Sequence, residues 1–350
     1  MLNTLPLNYR RVASNKPLAV AQCNYIPLTQ LAGYIAESAQ KILAVISFGS
    51  EEHDIRPLPC LHIKVATPQL DDARLVEVWT SSAPVLHRQQ GGIHYAVSGD
   101  MIFGSIRLPE SDEATLDTII CTAYRRIFDL LQAEACPHLI RVWNYVPDIN
   151  CTANGLERYQ LFCLGRHQAF SERNQFFEHG LPAATAIGVR QGDLHIHFLA
   201  ARHAGKQIEN PRQVSAFRYP HRYGPRSPSF SRAILKEWND GRHLYISGTA
   251  SIVGHESCHE GDLDRQLQET LRNIESLLGH AGDTSETRGD YLNTLSSVKI
   301  YIRHPHHLSL VKNSLERHFH REMPTMYLQG DICRSDLLLE IEAICHAHQY

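Results

Sequence analysis

DMIFGSIRLPESDEATLDTIICTAYRRIFDLLQAEA (residues 100–135) is an apolar strand centred on Gly104 that runs into a helix, and the same order of elements returns after LYISGTASIV (residues 244–253), centred on Gly248. In the first copy Leu116, Ile119, Ile120, Ala123, Ile127 and Leu130 recur at spacings of three and four, which draws one apolar stripe along a helix. A strand LIRVWNYV (139–146), a helix ERYQLFCLGRHQAF (157–170), Pro182 and an alternating strand GDLHIHFLAA (192–201) complete the unit. The second copy continues with the helix DLDRQLQETLRNIESLLGHAG (262–282), the strand VKIYIR (298–303), the helix HLSLVKNSLERHF (307–319), Pro324 and the strand DLLLEIEAIC (336–345). Gly104 and Gly248 stand 144 residues apart and Pro182 and Pro324 stand 142 apart, so the units run almost in step. Each reads β-α-β-α-β, an α+β pattern with mixed sheets and helices on one face.

Ahead of the first unit lie strand-like runs, ILAVISFGS (42–50), CLHIKVAT (60–67) and RLVEVWTS (74–81), which are expected to extend its sheet. Between the units lies ENPRQVSAFRYPHRYGPRSPSFSRA (209–233). Proline at this density forbids a long helix or a central strand. The segment is either a solvated linker or a loop pinned across the surface, and Phe217, Tyr219, Tyr223 and Phe230 favour the loop, because flexible linkers are poor in aromatics. The domain reading is an N-terminal module over 1–204 with extra strands, a Pro/Arg-rich loop over 205–241 and a C-terminal module over 242–350.

Composition excludes several classes of function. With 34 Lys plus Arg against 37 Asp plus Glu, the chain lacks the basic excess of a phosphate-tracking surface, and no nucleic acid partner is expected. MLNTLPLNYRRVASNK (1–16) has no apolar core of signal-peptide length, and nothing approaches the roughly 18 apolar residues of a membrane span. No membrane partner is expected, and the cytoplasm is the expected compartment. Nine cysteines, an odd number with no C-x-x-C pair, fit reduced thiols.

His255-Glu256-Ser257-Cys258-His259 matches H-E-x-x-H, but that zinc signature requires a helix, and here it follows β-like SGTASIV and sits between Gly254 and Gly261. No metal site is expected from it. His195 and His197 share one face of a strand and read as an exposed or half-buried pair. No G-x-G-x-x-G or Walker string is present, so no nucleotide cofactor is expected. The closing strand says more. Period two puts Leu339, Ile341, Ala343 and Cys345 on a core face and Glu340 and Glu342 on the other. If that face is solvated the carboxylates are ordinary; if a neighbouring module covers it, a glutamate there is desolvated and becomes a general acid at neutral pH.

The second unit resembles the RidA/YjgF superfamily in SGT (247–249), Gln266, Asn273-Ile274 and EIEAI (340–344). The resemblance implies two tandem RidA/YjgF-like (chorismate mutase-like) modules packed as a pseudo-oligomer, with the active site at their seam and Glu340 positioning water or a proton. Deaminases of that superfamily carry an arginine shortly after the proline, where this chain has Thr325-Met326, so imine hydrolysis is not implied. Over most of the chain the closer resemblance is to the chorismatases. It is carried by RVWNYVPDIN (141–150), ERYQLFCLGRHQAF (157–170), LPAATAIG (181–188), the segment 209–233, SGTASIVGHES (247–257) and DICRSDLLLEIE (331–342).

This resemblance implies a cofactor-free enzyme acting on chorismate, a small dicarboxylate with an enolpyruvyl ether, to give pyruvate and a hydroxylated ring acid. Such a substrate asks for cations and for an acid near the ether's methylene carbon. Arginine is the natural clamp, because its planar fork grips a carboxylate bidentately. Arg166, Arg218, Arg222 and Arg226 are the candidates, with Tyr219 and Tyr223 to stack or hydrogen-bond, and with Tyr159, Gly248 and Thr249 in the substrate-binding set. By the same resemblance Glu340 protonates the methylene carbon, and Cys333, seven residues before it, marks the branch that yields 3-hydroxybenzoate. Release of the dihydroxycyclohexadiene carboxylate by simple hydrolysis, a mixed 3- and 4-hydroxybenzoate product, and a non-catalytic carboxylate-binding protein stay open as alternatives. Quaternary structure is expected to be a monomer or a small homo-oligomer.

Overall fold

The run ILAVISF is apolar on both sides, a pattern that suits a strand covered on two faces. In the computed structural model, which describes residues 20–49, 57–110, 114–174, 177–190, 192–239, 241–282, 291–319 and 323–348, it forms β2 (Ile42–Phe48), buried at every position. The N-terminal stretch read above for a leader lies outside the described residues. β1 (Ala21–Pro27), α1 (Leu31–Ser38), β2, β3 (Leu61–Val65) and β4 (Leu75–Ser81) build a four-stranded sheet in the order β1-β4-β2-β3. One face packs Ile42, Val45, Val76 and Val78 against Leu31 and Ile35 of α1. The other brings Trp79 within 5.3 Å of Phe103 and 5.5 Å of Trp143, ring centre to ring centre. These strands therefore do not extend the first unit's sheet, as their pattern had suggested. They form a separate layer, because strands buried on both faces need a sheet in front as well as a helix behind.

The first unit begins earlier than its apolar pattern indicates. β5 (Leu86–Gln90) and β6 (Ile93–Ser98) precede β7 (Met101–Leu108), α2 (Leu116–Ala133), β8 (His138–Pro147), the two-residue strands β9 (Thr152–Ala153) and β10 (Leu156–Glu157), α3 (Arg158–Arg173), β11 (Ala183–Val189) and β12 (Leu194–Ala201). The stripe from Leu116 to Leu130 is buried as its spacing predicts. α2 and α3 cross so closely that a Cβ on Gly165 would collide with the Asp117 carbonyl, so the crossing needs glycine.

The second unit has β13 (Lys206–Ile208), β14 (Ala233–Trp238), β15 (Gly241–Thr249), a small hairpin of β16 (Ile252–Val253) and β17 (Glu256–Ser257), α4 (Leu263–Ala281), β18 (Leu295–Ile302), α5 (Leu308–Leu315), β19 (Thr325–Gln329), β20 (Asp331–Ile332) and β21 (Leu339–His348). Its sheet runs β13-β14-β15-β21-β18-β19, and the first unit's runs β20-β11-β8-β12-β7-β6-β5. Strand for strand, β5, β6, β7, β12, β8 and β11 answer to β13, β14, β15, β21, β18 and β19. Both final pairs, β8 with β11 and β18 with β19, are parallel.

Two departures from this repeat shape the site. In the first unit β5 and β6 are joined by Gly91-Gly92, both at positive φ, as a tight hairpin requires. In the second unit the equivalent strands β13 and β14 are joined by residues 209–232, so the Pro/Arg-rich segment is a hairpin turn grown into a long loop, with Ile208 paired to Ala233 at its base. The outer parts of 205–241 are thus strand, not loop. The second departure is β20, which leaves its own sheet and pairs with β11 through Ile187↔Ile332 and Gly188↔Asp331. Where the units face each other, the hydroxyls of Tyr145 and Tyr301 meet at 2.9 Å.

Candidate active site

β11 of the first unit lies beside β15 of the second, and hydroxyl groups join them. The Ala184 amide donates to Ser247 Oγ (2.9 Å), the Gly248 amide donates to Thr185 Oγ1 (3.1 Å), and Ser247 Oγ donates to the Ser231 carbonyl (2.5 Å). The Ser231 amide in turn donates to the Pro182 carbonyl (3.0 Å), which ties the end of the long loop to the same seam. Along this seam opens a cleft of about 210 Å³.

One wall is α3. A capping box between Glu157 and Gln160 starts the helix, and Tyr159, Phe162, Cys163 and Arg166, spaced i, i+3, i+4 and i+7, turn one face to the cleft. Arg166 is only 2% exposed and lies over the rings of Tyr124 (5.0 Å) and Phe170 (5.4 Å). Its Nε and Nη2 are buried with no hydrogen-bond partner among the described residues. A buried guanidinium with donors to spare is a receptor for an anion.

The long loop supplies Tyr219, Arg222, Tyr223 and Arg226 to the opposite wall, together with Arg232. Its first part is anchored to α4, where Asn210 Nδ2 donates to the Asn273 carbonyl (2.8 Å) and Arg212 Nη1 to Asn273 Oδ1 (2.7 Å). Arg232 is buried, donates through Nη2 to the Tyr219 hydroxyl (2.7 Å) and keeps Nε without a partner among the described residues. Arg334 lies 4.2 Å over the Tyr223 ring, and the exposed Arg222 pairs with Glu256 at the rim (2.6 Å). Five arginines line the cleft, 166, 222, 226, 232 and 334, against Glu157 and Glu340.

Two expected residues stand elsewhere. Arg218 points outward, 4.0 Å from Glu178, because the short helical turn Ala216–Arg218 aims it away from the seam. Thr249 is buried with Oγ1 donating to the Ser247 carbonyl; Gly248 faces the cleft, so strand alternation turns its neighbour the other way. Arg232, Arg334 and Thr185 were not singled out from the sequence. All three lie in segments quoted above, but neither residue type nor spacing sets them apart from their neighbours.

The closing strand brings two carboxyls to the seam. Leu339, Ile341 and Ala343 pack into the second unit's core, and the other face is covered by the first unit, leaving Glu340 4% and Glu342 5% exposed. Of the two environments left open by the sequence, the covered one holds. Glu342 accepts from Arg141 (2.7 Å), Trp143 (2.8 Å) and Thr185 (2.6 Å) and pairs with Lys299 (3.0 Å), which also meets Glu77 of β4 (2.5 Å). Burial works to raise its pKa, but Lys299, Arg141 and the Thr185 hydroxyl outweigh burial and hold it below the usual carboxylate value. Glu340, two residues earlier, has its pKa pushed up to about 8, by burial first and then by the negative charge of Glu342, with Arg141 and Arg232 opposing. Its carboxyl lies over Gly248, where any Cβ would overlap Oε1. Cys333 borders the same space, and burial and then the neighbouring Glu340 push its thiol up to about 12.

The histidine motifs resolve differently from their sequence reading or for a structural reason. His195 and His197 are both buried rather than exposed, since the four-stranded layer covers their face: His195 bonds Ser105 Oγ (2.7 Å), and His197 stacks 4.7 Å from Trp143. His255 and His259 lie on and after the β16–β17 hairpin rather than one helical turn apart, with His255 beside Tyr223 (3.1 Å) and His259 beside Glu269 (3.6 Å).

Comparison with known proteins agrees with this geometry. The family described as chorismatase FkbO/Hyg5-like, N-terminal, matches residues 77–200. A 3-hydroxybenzoate synthase from Streptomyces hygroscopicus is 38% identical over 294 residues, covering 82% of this chain and 85% of that protein. A chorismatase from Streptomyces rapamycinicus is 38% identical over 296 residues, covering 81% and 86%. Among solved structures, a chorismatase crystal structure aligns with a TM-score of 0.84 at 33% identity, over 94% of this chain and 99% of the other.

Proposed function

The chain belongs to the chorismatase family, and on that premise we propose that Glu340 is the general acid which starts the removal of pyruvate from chorismate. The observation that carries this reading is a carboxyl group that burial keeps protonated at neutral pH, in a cleft whose walls offer two buried guanidiniums with unpartnered donors. Arg166 and Arg232 clamp the substrate's two carboxylates. Tyr219 and Tyr223 flank the ring, and Arg222, Arg226 and Arg334 keep the cleft electropositive. Gly248 gives Glu340 the room to face the substrate.

Glu340 gives its proton to the methylene carbon of the enolpyruvyl ether, the double bond's electrons form the new C–H bond, and the ether carbon becomes an oxocarbenium centre beside the Glu340 carboxylate. Capture by water gives a hemiketal whose collapse breaks the C–O bond and releases pyruvate and the dihydroxycyclohexadiene carboxylate, consuming one water. Capture by the substrate's own hydroxyl, followed by loss of pyruvate and aromatisation, gives 3-hydroxybenzoate with no net water. Neither course calls on a metal or cofactor. General acid catalysis of this kind contributes about two to four orders of magnitude, and the arginine clamp supplies positioning.

Cys333 assigns the protein to the 3-hydroxybenzoate branch in this reading. With its pKa near 12 the thiol is neutral, so it acts by filling space and holding water off the ring, not as a nucleophile. The test is direct: purified protein is incubated with chorismate, pyruvate is assayed and the ring product is separated by chromatography. Release no faster than the spontaneous rate would overturn the reading. Glu340→Gln is expected to lose turnover while still binding substrate.

Among the described residues no helix is long and apolar enough to cross a membrane. All nine cysteines are free thiols, which supports a reducing compartment, the cytoplasm. Both walls of the cleft come from one chain, so one copy carries a whole site in a monomer or a small homo-oligomer alike.

A further inference from the structure

The turn between β20 and β21 brings Cys333 and Arg334 to the cleft, and one side chain from outside the turn holds its backbone. Arg303, just past β18, donates from Nε to the Leu337 carbonyl (2.8 Å) and from Nη2 to the carbonyls of Ile332 (3.1 Å) and Arg334 (2.9 Å). Its Nη1 donates to Asp331 Oδ1 (2.8 Å) and to Asn150 Oδ1 (3.1 Å). Three backbone carbonyls on both sides of Cys333 thus converge on one planar fork. Lysine keeps the charge but presents its donors from a single point and cannot serve acceptors spread round such a fork.

The same guanidinium reaches the other wall. Asn150, from the first unit, also donates from Nδ2 to the Ile332 carbonyl (3.1 Å) and to Glu157 Oε1 (3.0 Å). Glu157 caps α3, which brings Tyr159 to the cleft that Cys333 also lines. Arg303 and Asn150 thus hold the backbone that carries the thiol and tie it to the cap of α3 on the opposite wall.

We propose that Arg303 is a specificity-determining positioning residue, which sets where the Cys333 thiol stands in the cleft and thereby how the product divides between hydroxybenzoate and the dihydroxycyclohexadiene carboxylate. The inference rests on the reading of Cys333 as the residue that decides the product.

Wild type, Arg303→Lys, Cys333→Ala and the double variant are given chorismate, and pyruvate and both ring products are measured. Arg303→Lys is expected to move the product ratio roughly threefold or more toward the diene diol, the direction of Cys333→Ala, while total pyruvate release changes by less. The double variant is expected to match Cys333→Ala alone, because the fork has nothing left to position. An unchanged ratio in Arg303→Lys beside a changed one in Cys333→Ala, or a further shift in the double variant, overturns the proposal and leaves the Cys333 reading standing. An unchanged ratio in Cys333→Ala removes that reading and the proposal together. Should Arg303→Lys not accumulate as folded protein, Asn150→Ala, which removes one arm of the same clamp, is judged by the same outcomes.

Discussion

Glu340 and Glu342 stand two residues apart on one face of one strand, and their acidities are pushed in opposite directions, because only Glu342 has cations at bonding distance. If Glu340 is the general acid proposed above, its protonated form is the active one, and kcat is expected to be level below pH 8 and to fall as pH rises through about 8. A pH profile that instead declines near pH 4 to 5 would mean an ordinary, solvated carboxyl. The same proton shapes stability. The folded pKa lies near 8 against an ordinary 4.5, so the folded chain holds a proton that the unfolded chain has lost; this stabilisation is complete below about pH 4.5 and gone above about pH 8. Glu340→Gln is accordingly expected to gain in Tm relative to wild type as pH goes from 5 to 8, and a difference that stays flat across that range would contradict the burial argument.

At the scale of elements, the site depends on how β15 and β21 meet. Their register shifts between Ile246 and Thr249, and Gly248 lies in that irregular stretch under the Glu340 carboxyl. Gly248→Ala is expected to turn the carboxyl aside and lower kcat by roughly a hundredfold, with near-wild-type circular dichroism; retention of full activity would show that the carboxyl need not face this way. The sibling strand β12 carries a different chemistry in the same frame. His195 lies opposite Tyr145 as Glu340 lies opposite Tyr301, but burial lowers its pKa to about 3 and Ser105 occupies its Nε2, so it is a neutral imidazole. Much of this level was legible beforehand. The alternation of the closing strand separated Glu340 and Glu342 from Leu339 and Ile341, and the stripe of α2 gave the helix its buried face. Whether the glutamate face was wet was not legible, since it depends on Arg141, some 200 residues away in the chain. Nor was β5, whose residues are all exposed and carry no apolar rhythm; Thr249, next to Gly248 on the same strand, is turned from the cleft by alternation.

Across the whole molecule, one buried chain of charge joins the three sheets. Glu77 comes from the N-terminal layer, Lys299 and Glu342 from the second unit and Arg141 from the first, and every one of these side chains is less than a tenth exposed. Removing one member leaves its partners charged and unpaired in the interior, so Lys299→Met is expected to cost about 3–5 kcal/mol in unfolding free energy, measured with denaturant. A loss below about 1 kcal/mol would show that the layers are held by apolar packing alone. The sequence displayed the strands of the N-terminal layer but not their place in the molecule, because apolar residues on both sides say that a strand is covered and not by what.

The loop over 209–232 springs from a hydrogen-bonded strand pair, at the place where the sister unit closes with two glycines. Its ends are already held together by the sheet, so lengthening or rewriting it costs the frame little, since closure entropy grows only slowly with length. Length can thus be added at the exposed crown of this one segment without shifting the frame, provided the residues it sends to the cleft keep their places.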